Sequence, residues 1–195
     1  MSTHTELFFS QVKAIAEEID FSEIEKLCKS LKDLRDNGGR LFFLGVGGSA
    51  AHCSHAVNDF RKLCGIESYT PIDNVSELSA RINDDGWETS FSDWLSVSKL
   101  NSKDAIFIMS VGGGNIEKGV SMNIVSAINY AIKMGSKVFG IVGYEGGFTN
   151  LKGDNVIKIP LADKSLVTPH TEGFAAVVWH SMVSNPILQI NSTKW

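Results

Sequence analysis

The sequence predicts an α/β protein, a three-layer αβα sandwich with a central parallel sheet and N-terminal helices. Three observations carry this. The runs RLFFLGV, DAIFIMSV, KVFGIVG and NVIKIP are apolar throughout and do not alternate, as strands buried on both faces must be. Helical periodicities separate these runs, which is what parallel crossovers require. Glycine-rich turns close the first three, at the carboxyl ends of strands where open α/β sheets bind their ligands.

The elements follow in chain order. Residues 6–37 place Leu7, Val12, Ile15 and Ile19, then Ile24, Leu27, Leu31 and Leu34, at helical spacing. The pattern breaks around Asp20 to Ser22, so two helices precede the first strand, with Ser22 as a cap for the second. After NGG comes the strand RLFFLGV, then a helix from about Ala50 to Leu63. DAIFIMSV leads through GGGN into a helix that includes IVSAINYAIKMG, and KVFGIVG leads into YEGG. NVIKIP is a further strand. A final helix runs from about Pro169 to Val183, with proline suited to its first turn. The tail NSTKW either hangs free or packs on a neighbour.

With 195 residues, 43% of them hydrophobic, the chain fits one domain spanning 1–195 with a full core. Its net charge of -4, with no basic block long enough to follow a phosphate backbone, argues against nucleic acid as a direct partner. The opening MSTHTELFFSQVKAIAEEID carries acids and polar groups where a secretory signal needs a basic end and an unbroken apolar run. No stretch reaches membrane-spanning length, so the sequence predicts a cytoplasmic protein without a membrane partner. Cys28, Cys53 and Cys64 are odd in number and lack a CxxC spacing, which reads as reduced thiols.

The first glycine turn poses the functional question. Gly45, Gly47 and Ala50 fit the dinucleotide fingerprint in its G-x-G-x-x-A form, between a strand and a helix. The acid that should follow about 20 residues later fits loosely, because Glu67 precedes the candidate strand and Asp73 lies within PIDNVS. Two leading helices also displace the turn from the start of the domain. What survives is an anion cradle: small residues let backbone approach, and free N–H groups at a helix start favour negative charge. Gly47 and Gly48 read equally as a tight turn with no ligand. The loop Ser110-Val111-Gly112-Gly113-Gly114-Asn115 on the same sheet edge favours a shared polar ligand.

His55 and Asp59 stand four apart on the first loop's helix, a spacing shared by helical metal ligands and by ordinary surface contacts. His52 lies one turn earlier. His180, within the apolar run FAAVVWHSMV, reads either as a core histidine or as a working imidazole.

Taken with both chain ends, the segments G-x-GGS, VSELSARINDDGW, the S-x-G-G loop, GIVGYEGG and TPHTE with a histidine eight residues after its Glu resemble the sugar isomerase (SIS) domain family, and within it the phosphoheptose isomerases. The resemblance implies a flavodoxin-like fold, residues 1–37 used in packing and oligomerisation, and a homotetramer with sites at subunit interfaces. It implies an aldose–ketose isomerase that acts on the sugar phosphate sedoheptulose 7-phosphate through an enediol. Carried over position by position, it assigns Zn2+ to His55, Asp59, Glu172 and His180, and catalysis to Asp59, Glu172 and His180. Substrate contacts fall on Gly47, Gly48, Ser49, Asn83, Asp84, Ser110, Gly112, Gly113, Gly114 and Asn115.

The chain departs from that pattern in places. The family's glutamate is Asp59, its glutamine is Glu172, its S-T-S-G-N-S loop is SVGGGN, and Val46 replaces the usual polar residue. On one helix the eight residues from Glu172 to His180 span about 12 Å, too far to share an ion easily. Either the helix begins after Glu172, or subunits share the site, or Glu172 is a base and not a ligand. The competing functions are a non-catalytic sugar-phosphate-binding or assembly protein and, last, a nicotinamide dehydrogenase.

Overall fold

Alternate residues of each central strand are buried on opposite faces, and two hydrophobic cores result. The computed structural model describes residues 2–193, in which parallel strands form one sheet in the order β2-β1-β3-β4-β5. The strands are β1 (Leu41–Gly45), β2 (Ser68–Tyr69), β3 (Ala105–Ser110), β4 (Lys137–Val142) and β5 (Asn155–Lys158). β1 and β3 pair in register from Leu41 with Ala105 to Gly45 with Met109.

On one face, Leu41 and Phe43 of β1 and Phe107 of β3 join residues from α1 (His4–Glu18), α2 (Phe21–Asp36), α3 (Gly48–Cys64) and α8 (Val167–Val183). Phe43 anchors this core, its ring centroid 5.1 Å from those of both Phe60 and Phe107. On the other face, Phe42, Leu44, Ile106 and Ile108 meet α5 (Ser90–Val97) and α6 (Met122–Lys133). The three-layer α/β expectation is therefore met. No helix among the described residues is long and apolar enough to cross a membrane.

Several boundaries differ from the sequence reading, each for a local reason. Asp20, not Ser22, caps α2, because its carboxylate accepts from the amides of Ser22 and Glu23. The last helix begins at Val167, before Pro169. β2 is two residues long, too short to show as an apolar run. The helices α4 (Val75–Asp85) and α7 (Gly147–Lys152) were not foreseen, and neither was α5. α4 buries no residue fully, so its apolar pattern is faint. Of the tail, Lys194 and Trp195 lie outside the described residues. Asn191 packs on the end of α3, its amide and side chain donating to the carbonyls of Leu63 and Lys62.

The leading helix is fastened to the last by a buried histidine. His170 Nε2 lies 2.8 Å from Gln11 Oε1, while Gln11 Nε2 donates to Asp163 Oδ2 at 3.3 Å, so the imidazole is the donor in the first contact. Phe8 stacks on the same ring at 4.4 Å. Burial pushes the His170 pKa below the usual 6.5, with Asp163 pulling weakly the other way. A group whose folded pKa is depressed in this cationic sense favours the neutral form when folded. Its contribution is complete above about pH 6.5 and is lost as the pH falls below it. Urea unfolding midpoints should therefore decline between pH 7 and 5.5 more steeply in the wild type than in His170→Gln; parallel declines would remove His170 as the cause.

Candidate functional site

The crossover from β1 to β2 and the crossover from β3 to β4 run in opposite directions, so the carboxyl ends of β1 and β3 flank the crevice where such sheets take ligands. Both glycine loops open there. In the first, Gly47 has φ 63° and is the N-cap of α3. A Cβ on Gly45 would lie 2.7 Å from the Ser49 carbonyl oxygen, and one on Gly48 would lie 2.5 Å from Glu172 Oε1. Glycine at position 48 thus lets a carboxylate of α8 close on the amino end of α3, where the helix dipole favours negative charge. Ser49 is buried behind it. Asp73, the candidate acid of a dinucleotide site, is bonded to the Ser54 hydroxyl, and Glu67 accepts from the Tyr69 hydroxyl.

The second loop is built differently from the first. Its glycines serve close backbone packing: a Cβ on Gly113, which has φ 67°, would collide with the Gly146 carbonyl, and one on Gly147 with that of Gly112. Thr149 donates its amide and hydroxyl to the Gly113 carbonyl, and Phe148 its amide to that of Gly114. Ser110 Oγ accepts from the Gly113 amide at 3.0 Å, the Asn115 amide donates to Val120, and Asn115 Oδ1 accepts from the Lys118 amide. The amides of Gly113 and Asn115, two of the residues expected at the substrate, are engaged in the loop's own fold. Gly113 and Gly114 are buried, while Gly112 is exposed.

The histidines and acids converge beside this rim. α3 and α8 lie side by side and run in the same direction, with Gly48 against Glu172 near their starts and Cys64 Sγ 3.8 Å from the Val183 carbonyl near their ends. Between these points, His55 Nε2 stands 3.6 Å and His180 Nε2 3.9 Å from the same oxygen, Asp59 Oδ2. Asn58 Nδ2 donates to the other carboxylate oxygen at 2.8 Å, which turns Oδ2 toward the imidazoles. His180 Nδ1 lies 2.8 Å from the Ala176 carbonyl oxygen, so Nδ1 carries the proton and Nε2 presents its lone pair.

One donor atom from each of His55, Asp59 and His180 lies within 4.8 Å of the others. Tetrahedral zinc with bonds of about 2.0–2.1 Å sets its ligands roughly 3.3 Å apart, so the 3.6 and 3.9 Å spacings to Asp59, and the imidazole nitrogens within 4.8 Å of each other, contract around an ion. The donor set fits zinc. The groove outside it encloses about 470 Å³ and is also lined by Lys62, Ser184 and Thr193.

Two other assigned groups lie apart. Glu172 sits on the same unbroken helix as His180, so the idea that the helix starts after it is overturned; the two are about 12 Å apart along the axis. Asn83 and Asp84, exposed at the end of α4, hydrogen-bond to each other. The sequence reading missed Asn58 and Trp179. Adjacency to Asp59 and His180 was their only signal.

The SIS domain family model matches residues 7–143. The chain belongs to the SIS domain family. The lincomycin biosynthesis protein LmbN of Streptomyces lincolnensis is 29% identical over 155 residues, which is 74% of this chain but only 54% of LmbN. A phosphoheptose isomerase of Aliarcobacter butzleri is 28% identical and aligns over 94% of this chain and 92% of its own. Among solved structures, a phosphoheptose isomerase from Francisella tularensis superposes with a TM-score of 0.80 over 96% of this chain and 98% of its own, at 18% identity. At that identity the likeness speaks for the fold, and the sheet described above is the SIS sheet.

The packing of the second glycine loop yields a contrast between neighbouring positions. Gly113→Ala forces a side chain at positive φ into another backbone and should destabilise the protein by about 2 kcal/mol or more. Gly112→Ala meets open space and should stay within about 0.5 kcal/mol of the wild type. Urea unfolding of both variants decides it, and equal losses would refute the backbone contact.

Proposed function

We propose that the chain is a phosphoheptose isomerase. It converts D-sedoheptulose 7-phosphate to D-glycero-D-manno-heptose 7-phosphate through an enediol, in the cytoplasm, as a step of bacterial surface-polysaccharide heptose biosynthesis. The observation that carries this reading is the convergence of His55 and His180 on one oxygen of Asp59, in an SIS domain with relatives of that name.

Aldose–ketose interconversion moves a proton between adjacent carbons and needs a base near the carbon and a proton carrier near the oxygens. Asp59 and Glu172 are the carboxylates available as base. His180 has its Nδ1 proton tied to Ala176, so Nε2 is the nitrogen through which it binds an ion or moves a proton. Zinc, when held by His55, Asp59 and His180, supplies polarisation of the sugar carbonyl and charge stabilisation for the enediolate. The exposed Gly112 and the amino end of α3 at Gly47, Gly48 and Ser49 are the rim that receives the phosphate.

In one chain the groove of histidines and the glycine rim with Glu172 stand a helical span apart. A homotetramer that sets the rim of one copy beside the groove of another unites them, and it makes Glu172 the base or fourth ligand. Exposed Leu7 and Phe9 on α1 and Phe21 on α2, at 48%, 65% and 64%, support packing between copies through residues 1–37. The internal hydrogen bonding of the second loop favours one alternative, a non-catalytic sugar-phosphate-binding SIS protein.

Incubation with sedoheptulose 7-phosphate, followed by NMR detection of the aldose product, separates the two. The wild type should turn over. His180→Ala and Asp59→Asn should each lose about 100-fold or more with unchanged circular dichroism. A chelator should suppress turnover, and Zn2+ should restore it. A wild type that binds the ketose phosphate without forming aldose would establish the alternative.

A further inference from the structure

We infer that Trp179 is a positioning residue for the two imidazoles that face Asp59, an inference that rests on the zinc-binding reading above. The indole is fully buried in the core cluster that includes Phe174, Val178, Met182 and Val183. Its ring centroid lies 3.5 Å from that of His180, with the planes 28° apart, and 4.7 Å from that of His55, at 75°. The two imidazoles stand 5.2 Å apart at 77°. One flat, immobile surface therefore meets one imidazole face-on and the other edge-on, which fixes them near perpendicular. That is the arrangement in which both Nε2 atoms aim at Asp59 Oδ2.

Hydrogen bonding explains less of this. The Ala176 carbonyl holds His180 through Nδ1. The His55 contact with Asp59, at 3.6 Å, is longer than a hydrogen bond. The indole Nε1 meets no acceptor among the described residues, so the position uses the ring's area and not its N–H. With that surface gone, His55 is free to turn about χ2, and His180 keeps only its contact with the Ala176 carbonyl. Loss of such an orienting contact typically weakens metal binding by 10- to 100-fold.

Co2+ is the probe, since its visible absorption reports both affinity and coordination geometry. Titration of the full chain should show W179L binding about 10-fold or more weakly, with an altered band, and W179F binding within about threefold of the wild type. W179M, which keeps bulk without a ring, repeats the test should W179L fail to fold. An unchanged affinity and band in W179L, or a W179F as weak as W179L, overturns the inference. A wild type that takes up neither Co2+ nor Zn2+ overturns the zinc reading itself, and this inference with it. Tight wild-type binding with an indifferent W179L removes the inference alone.

Discussion

The site depends on one packing arrangement, the parallel alignment of α3 and α8 on a single face of the sheet. Both helices bury one face against the same core, where Phe60 and Trp179 are buried beside strand residues. Their alignment pairs position 48 with 172 and positions 55 and 59 with 180, from segments more than a hundred residues apart. Shift either helix by one turn, about 5.4 Å, and the carboxylate of Asp59 no longer lies between two imidazoles. The meeting of the donors is thus set by apolar burial, since their contacts with one another are longer than hydrogen bonds.

Glycine has different work in the two rim loops. At Gly48 its lack of a side chain admits the end of Glu172, a flexible group able to move. At Gly113 and Gly147 it admits backbone to backbone, with positive φ at both, and nothing there is able to yield. Position 48 of the first loop therefore faces a neighbour that is able to move, whereas the second loop packs backbone on backbone between the ends of β3 and β4. An SVGGGN loop with one hydroxyl accords with this: Ser110 closes the turn by accepting from Gly113.

Much of this was legible in the sequence, for identifiable reasons. Uninterrupted apolar strands announce a sheet covered on both faces, and the 3.6-residue period announces α2, α3 and α6. The i, i+4 spacing of His55 and Asp59 put them on one face of a helix. Their meeting with His180 came through resemblance to a family, because no local pattern reports which helices pack together. Two-residue β2 and solvent-facing α4 carry too little periodic signal to read. The internal use of Ser110 and Asn115 was hidden for another reason: a glycine-rich loop looks the same in sequence whether its amides face a ligand or a neighbouring turn. Asn58 and Trp179 act on their neighbours in the chain, and residues of those types have no spacing rule that marks such a role.

The absence of Glu172 from the groove in one chain bears on the chemistry. Structural zinc sites are closed by four protein ligands, whereas catalytic ones use three and leave a position for water or substrate. His55, Asp59 and His180 form a three-donor set open to a groove, with His55 and His180 side chains 56% and 49% exposed and that of Asp59 only 16%. Asn58 donates to the far oxygen of the Asp59 carboxylate, and the near oxygen faces both imidazoles. A carboxylate that remains outside such a set is free to act as a base, which a fourth ligand is not. On the isomerase proposed above, the separation of Glu172 from the histidines within one chain favours Glu172 as the base over a fourth place at the ion.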